Sequence, residues 1–294
     1  MQLSCNGIPL EVEDHGPPSG EPVLLVMGLG MQLLAWPLPF VESLVARGFR
    51  VIRFDNRDIG LSRGFDELGT PNLAVVALRA TLGMRVKSPY SLSDMAADSV
   101  GVLDALGIAK AHVCGASMGG MIAQRMAAQH PERVKSVTLM MTTSGARKLP
   151  GPTLTVQRAM LSRPDPKLGF GGIVDHYVKL YGLIGSPGFR PDSSELRARL
   201  ETSIRRSFRP QGTARQLVAI AADGDRSDLL ARIRQPTQII HGRDDALVPV
   251  EAGRALAQRI AGAEIDVIDG MGHDLPKELW PRFVGGIADA AGRA

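Results

Sequence analysis

The chain is poor in cysteine, with only Cys5 and Cys114 in 294 residues, which gives no disulfide framework. It has no run of 18 apolar residues, so no membrane-spanning helix is expected. The opening MQLSCNGIPLEVEDHG has neither a basic start nor an apolar stretch before a small-residue cleavage site. No secretory signal is read there, and a cytoplasmic location is expected. A dense basic tract is also missing. The formal net charge is +4, and residues 145–235 hold 16 Lys or Arg against 8 Asp or Glu, a net of +8 that leaves −4 for the rest. That excess is spread over short segments without interleaved aromatics, so nucleic acid is not an expected partner. Gly28 and Gly30 suggest a dinucleotide loop, but Leu33 stands where a third glycine is required, and no G-x-x-x-x-G-K-[ST] loop occurs. Asp244, Asp245, Asp269, His273 and Asp274 sit in loops near each other in sequence. Their spacings match neither H-E-x-x-H nor a calcium loop, so neither a metal nor a cofactor is expected.

What is present is an ordinary globular composition, 44% hydrophobic and 22% charged, in a chain long enough to bury a sizeable core. Leu3 to Glu13 reads as a strand or hairpin around Asn6-Gly7. Pro22–Met27, Arg50–Asp55, Ala111–Gly115 and Val134–Met141 read as strands, the first a continuous apolar run suited to a buried parallel strand. Phe40–Arg47 and Ser91–Leu106 read as helices, the latter opened by Ser91 and Asp94 at capping-box spacing. Past about Gly145 no strand is convincing. Thr153–Leu161, Gly172–Leu183, Ser193–Phe208 and Thr213–Ala222 all read as helices. Strand and helix alternate again in Thr237–His241, Val250–Ile260, Glu264–Ile268 and Trp280–Ala288. The expected architecture is α/β: a mostly parallel central sheet flanked by helices, spanning 1–144 and 236–294, with a helical cap inserted at 145–235.

Gly115-Ala116-Ser117-Met118-Gly119 lies between a short buried strand and a segment rich in Ala, Met and Gln. It reads as a nucleophile elbow, the sharp strand-to-helix turn that exposes a serine hydroxyl above a sheet. Serine is a poor nucleophile at neutral pH and needs a base, and the base needs an acid to orient it. Past the strand Thr237–His241 comes a loop with Asp244 and Asp245, either of which fits by spacing alone. Past the strand ending at Ile268 comes a glycine-rich loop presenting His273. The order serine, aspartate, histidine suits a triad at the carboxyl ends of strands. Oxyanion donors are expected from the backbone N–H of Met118, just after the serine, and of Leu29, in the loop after Pro22–Met27. Met31, Trp36, His176, Tyr177 and Tyr181 are candidates for an apolar substrate pocket. His241, placed before its loop turns, reads as structural.

These motifs make the chain resemble the α/β-hydrolase superfamily, in its cap-bearing esterase and lipase-like branch. The resemblance spans nearly the whole sequence. It implies Ser117 of GASMGG as nucleophile and His273 of GMGHD as base. In that family the acid lies three residues after the glycine of an HG-x-x-D loop, so Gly242 and Pro249 favour Asp245. Met27-Gly28 stands where many members have His-Gly, which leaves the Leu29 donor in place. Arg57, Asp58 and Gly60 match the R-D-x-G-x-S pattern, taken as structural. VMGLGMQLLAWP and VIRFDNRDIGLS look like segments of the aclacinomycin methylesterase-like group. The resemblance implies a cofactor-free serine hydrolase that cleaves a carboxylic ester of a small-to-medium, mainly hydrophobic molecule. A carbon–carbon bond hydrolase and a perhydrolase share the same triad, and a non-catalytic ligand-binding scaffold is the further alternative. The sequence leaves a monomer or a homodimer open.

Overall fold

Eight strands form one sheet in the computed structural model, which describes residues 1–294 with the side chain of Pro166 excepted. They are β1 (Gln2–Cys5), β2 (Ile8–His15), β3 (Glu21–Val26), β4 (Phe49–Phe54), β5 (Ala111–Ala116), β6 (Val134–Met140), β7 (Thr237–Gly242) and β8 (Glu264–Ile268). The spatial order is β1-β2-β4-β3-β5-β6-β7-β8. From β4 to β8 every neighbour is parallel, while β1 and β2 pair antiparallel at one edge. Asn6 and Gly7 join β1 to β2 with φ of 50° and 77°, the two left-handed residues that a tight hairpin turn needs.

Successive side chains of a strand point to opposite faces, and β3 shows what that does here. Leu24 and Val26 enter one core, with α3 (Leu92–Ala105) and α4 (Met118–Gln129) above it. Val23 and Leu25 enter the other, with α1 (Leu38–Val45) and α11 (Trp280–Gly292). Both faces are covered, so the inner strands read as unbroken apolar runs. The capping box at Ser91 and Asp94 forms and starts α3 where the spacing placed it.

Between β6 and β7 the chain is helical: α5 (Leu154–Leu161), α6 (Gly169–Ile184), α7 (Ser193–Arg206), α8 (Pro210–Asp223) and the single turn α9 (Ser227–Leu230). Val174, Leu196 and Leu200 form a small core where α6 meets α7. The helix expected from Gly172 starts at Gly169, and the one expected from Thr213 starts at Pro210, where a proline occupies the first helical position. The turn α9 packs on α4 and on α10 (Val250–Arg259), and its Leu230 is buried in the main core. One further helix, α2 (Leu73–Thr81), has no counterpart in the sequence expectations. None of its residues is buried, so it lacks the buried stripe that betrays a helix. Among the described residues no helix is long and apolar enough to cross a membrane.

Candidate active site

Ser117 joins β5 to α4 with φ 54° and ψ −119°, a backbone conformation that costs a non-glycine residue about 1–3 kcal/mol. Its surroundings hold it there. The Ser117 N–H donates to the Met140 carbonyl at 2.9 Å. Its own carbonyl accepts from the Thr142 hydroxyl at 2.7 Å and from the Gly120 N–H at 2.9 Å. The turn admits no bulk: a Cβ on Gly119 would stand 2.0 Å from the Val26 carbonyl oxygen. Glycine at 119 is therefore a requirement of close packing between α4 and β3.

His273 Nε2 lies 2.9 Å from Ser117 Oγ, and His273 Nδ1 lies 2.7 Å from Asp245 Oδ2. An ionised carboxylate only accepts hydrogen bonds, so the proton sits on Nδ1. Nε2 then presents its lone pair to the Ser117 hydroxyl. Asp245 is 5% exposed, and its other oxygen accepts from the Leu247 and Val248 N–H groups at 2.9 and 2.8 Å. Both carboxylate oxygens are thus committed, one to the loop and one to the imidazole. Asp244 instead accepts from the Gly270 N–H at 2.8 Å and is exposed, so it shapes the loop and does not reach the histidine.

His241 is fully buried, with Nε2 donating to the Val248 carbonyl at 2.8 Å and lying 3.7 Å from Asp245 Oδ2. Burial pushes its pKa down, so it stays neutral and does not compete for the charge on Asp245. Its Nδ1 is an unpartnered buried acceptor among the described residues.

The donor loop follows β3. Val26 pairs with Gly115, so the chain leaving β3 passes directly beside the serine turn. A Cβ built on Gly28 would stand 3.1 Å from Ser117 Cβ. Among the described residues neither the Leu29 N–H nor the Met118 N–H donates to a protein acceptor. Two free donors flanking a serine are what a developing oxyanion needs.

Of the five pocket candidates, Met31 and Tyr181 meet between the core and the cap. The Tyr181 hydroxyl lies 2.9 Å from Met31 Sδ, which joins α6 to the loop after β3. Tyr177, one turn earlier on α6, faces Phe208 edge-on at 6.3 Å between ring centres. His176 packs edge-on against Tyr177 at 5.4 Å and is partly exposed. Trp36 departs from the expectation. It is fully buried, stacked on Phe40 at 5.6 Å in the core under α1, because the short 3-10 turn before it aims the indole down into that layer.

Several site contacts had no sequence signal. Ser186, just after α6, accepts from the Gly272 N–H at 2.9 Å and hydrogen-bonds Asp274, while the His273 N–H donates to the Ile184 carbonyl at 2.7 Å. The end of α6 therefore grips the histidine loop from both sides. Burial raises the pKa of Asp274 despite the Ser186 hydrogen bonds. Arg57 pairs with Asp98 of α3 at 2.6 Å, and Asp58 pairs with Arg215 of α8 at 2.7 Å, so the R-D pair fastens core and cap to one loop. Only Arg57 and Asp58 were readable from a motif. Their partners lie 41 and 157 residues away along the chain.

Among the described residues, no cluster of His, Cys, Asp and Glu is arranged to hold a metal ion.

Comparison with known proteins follows the same lines. Residues 21–278 match the family described as alpha/beta hydrolase fold. The chain is 30% identical over 304 residues to rhodomycin D methylesterase of Streptomyces sp. (strain C5), covering 93% of this chain and 92% of that one. It is 27% identical over 268 residues to a 2-hydroxy-6-oxononadienedioate/2-hydroxy-6-oxononatrienedioate hydrolase of Burkholderia vietnamiensis, covering 90% and 84%. The structure of a meta-cleavage product hydrolase from Pseudomonas fluorescens superimposes with a TM-score of 0.76 at 22% identity, over 99% of this chain and 97% of that one.

Proposed function

The chain belongs to the alpha/beta hydrolase fold family as a carboxylic-ester hydrolase, and we propose that Ser117, His273 and Asp245 carry its reaction through an acyl-enzyme. The observation behind this assignment is the unbroken relay of 2.9 and 2.7 Å from Ser117 through His273 to Asp245, ending on a serine held in a strained turn.

Ser117 Oγ attacks the ester carbonyl carbon while its proton passes to His273 Nε2. The imidazolium that forms is held by Asp245. The carbonyl oxygen, now an anion, takes the N–H groups of Leu29 and Met118. The carbon–oxygen bond to the alcohol breaks as Nε2 returns its proton to the leaving oxygen. Water then gives a proton to Nε2 and attacks the acyl carbon, and collapse of that intermediate releases the acid and reprotonates Ser117.

The ester we assign is a methyl ester on a mid-sized, largely hydrophobic acid. Likeness to rhodomycin D methylesterase over 93% of the chain supports this, as do Tyr177 and Tyr181 of α6, packed on the small cap core, with Tyr181 touching Met31 of the donor loop. Two buried free thiols, Cys5 and Cys114, suit a reducing compartment such as the cytoplasm.

The decisive test compares the parent with Ser117→Ala on short p-nitrophenyl esters and on aromatic methyl esters. We expect the substitution to lower kcat by about 10⁴-fold or more. A fluorophosphonate should label the parent once, on Ser117. Equal hydrolysis by both proteins, or an adduct elsewhere, removes Ser117 from the mechanism.

A further inference from the structure

The loop that carries the Leu29 donor has glycine on both sides of Leu29. Within it the Met31 N–H donates to the Gly28 carbonyl at 3.2 Å. Gly30 adopts φ 68°, a conformation that glycine takes as readily as a negative φ. Left alone, the Leu29–Gly30 peptide can flip, and the turn that presents Leu29 goes with it.

The cap prevents this. The Gly30 N–H donates to Gln216 Oε1 at 2.9 Å, and Gln216 Nε2 donates to the Arg57 carbonyl at 2.9 Å. These two bonds fix which end of the Gln216 amide faces the loop, because a flipped amide would set N–H against N–H. Gln216 is fully buried, and Thr213, one turn earlier on α8, fills the space where Gly30 lacks a side chain. The other end of the loop is held by α7. Gln32 Nε2 donates to the Ser203 and Ser207 carbonyls at 2.6 and 2.8 Å. Arg206 bridges Gln32 Oε1 and Asp55 Oδ2 at 2.7 Å each, and Asp55 Oδ1 accepts from the Leu33 N–H at 2.7 Å.

We propose that Gln216 is a positioning residue for catalysis: by holding the Gly30 N–H it fixes the turn that presents the Leu29 N–H, so the cap helix α8 assembles the oxyanion site as well as covering it. The proposal rests on the acyl-enzyme mechanism above. It goes further in making two cap helices part of the catalytic geometry. It also implies that α7 and α8 stay seated through turnover, since lifting either releases the loop.

Gln216→Met removes both hydrogen bonds at nearly constant volume, whereas Gln216→Glu keeps an acceptor for the Gly30 N–H and, because full burial favours the neutral acid, offers an O–H to the Arg57 carbonyl in place of the amide. Each is made in the full chain and compared with the parent by amide hydrogen exchange over residues 28–33. Ester hydrolysis is measured per fluorophosphonate-titratable site, and thermal unfolding is followed in parallel. For Gln216→Met we expect exchange of that segment to rise about tenfold or more. We expect kcat per site to fall about 10- to 100-fold with KM within about threefold, short of the 10²–10³ lost with an oxyanion donor outright. Gln216→Glu should keep the segment protected and recover most of kcat. A residue that only supports folding would lower the unfolding temperature and the number of titratable sites, leaving kcat per site unchanged. That result overturns the proposal, as does unchanged exchange in Gln216→Met. If Gln216→Met fails to fold, lost protection in Gln216→Glu overturns it and retained protection supports it. If the parent hydrolyses no ester, the mechanism fails separately, and the exchange measurement alone decides whether Gln216 holds the loop.

Discussion

Asp245 shows how a single residue is committed before chemistry begins. Oδ1 accepts two backbone N–H groups of its own loop, so only Oδ2 is left for His273. In Asp245→Asn the amide oxygen must stay with the backbone donors, because an NH2 group there would face N–H groups. The NH2 then faces His273 Nδ1 and forces the proton onto Nε2, the tautomer that cannot accept from Ser117. We expect folding to be retained and kcat to fall by about 10⁴-fold, read from ester hydrolysis beside a thermal unfolding curve. Spacing alone could not choose between Asp244 and Asp245. The family pattern favoured Asp245; in the structure Asp245 meets His273 and Asp244 accepts from the Gly270 N–H.

Among the elements, α8 is tied to the core through a buried ion pair. Arg215 is 1% exposed and meets Asp58 with two hydrogen bonds of 2.8 and 2.7 Å. Asp58 would be pushed up by burial, yet the Arg215 hydrogen bonds hold its pKa below the usual carboxylate range. Tyr90 and the Phe65 N–H share the same carboxylate, at 2.7 and 2.8 Å. Removing one partner strands a buried charge, which typically costs about 3–5 kcal/mol. We therefore expect Arg215→Met to lower stability by that amount in denaturant titration. Activity of the remaining folded fraction should also fall, since Gln216 is the next residue along. Helices α3 and α10 were readable in the sequence because each buries a stripe against the sheet, and α2 was not because it buries none.

Across the whole molecule, buried titratable groups set the response to acid. Burial depresses the pKa of His241 and of His112, whose ordinary value is 6.5. Each therefore takes up its proton more readily in the unfolded chain. The stability they contribute is complete above that value and is lost as pH falls below it toward their folded values. Asp55 and Asp274 act in the opposite sense, because burial raises them above the ordinary 3.8. Their stabilising contribution is complete below that value and is lost as pH rises through the raised one. We expect the thermal midpoint to fall from about pH 7.5 to about pH 5.5, with a shallower slope in His241→Asn. An identical slope in both proteins would remove His241 from the account. The sequence by itself determined the chain order of serine, aspartate and histidine, the tight turn at Ser117 and the histidine loop. These depend on local sterics and periodicity, which neighbouring residues encode. Only the tertiary structure decided that Trp36 belongs to the core and that Ser186 and Asp274 brace the histidine loop. It alone placed Gln216 against Gly30, 186 residues away. Such partners are chosen by how layers dock, and a polar side chain on a helix gives no sign in sequence of the distant N–H it will meet.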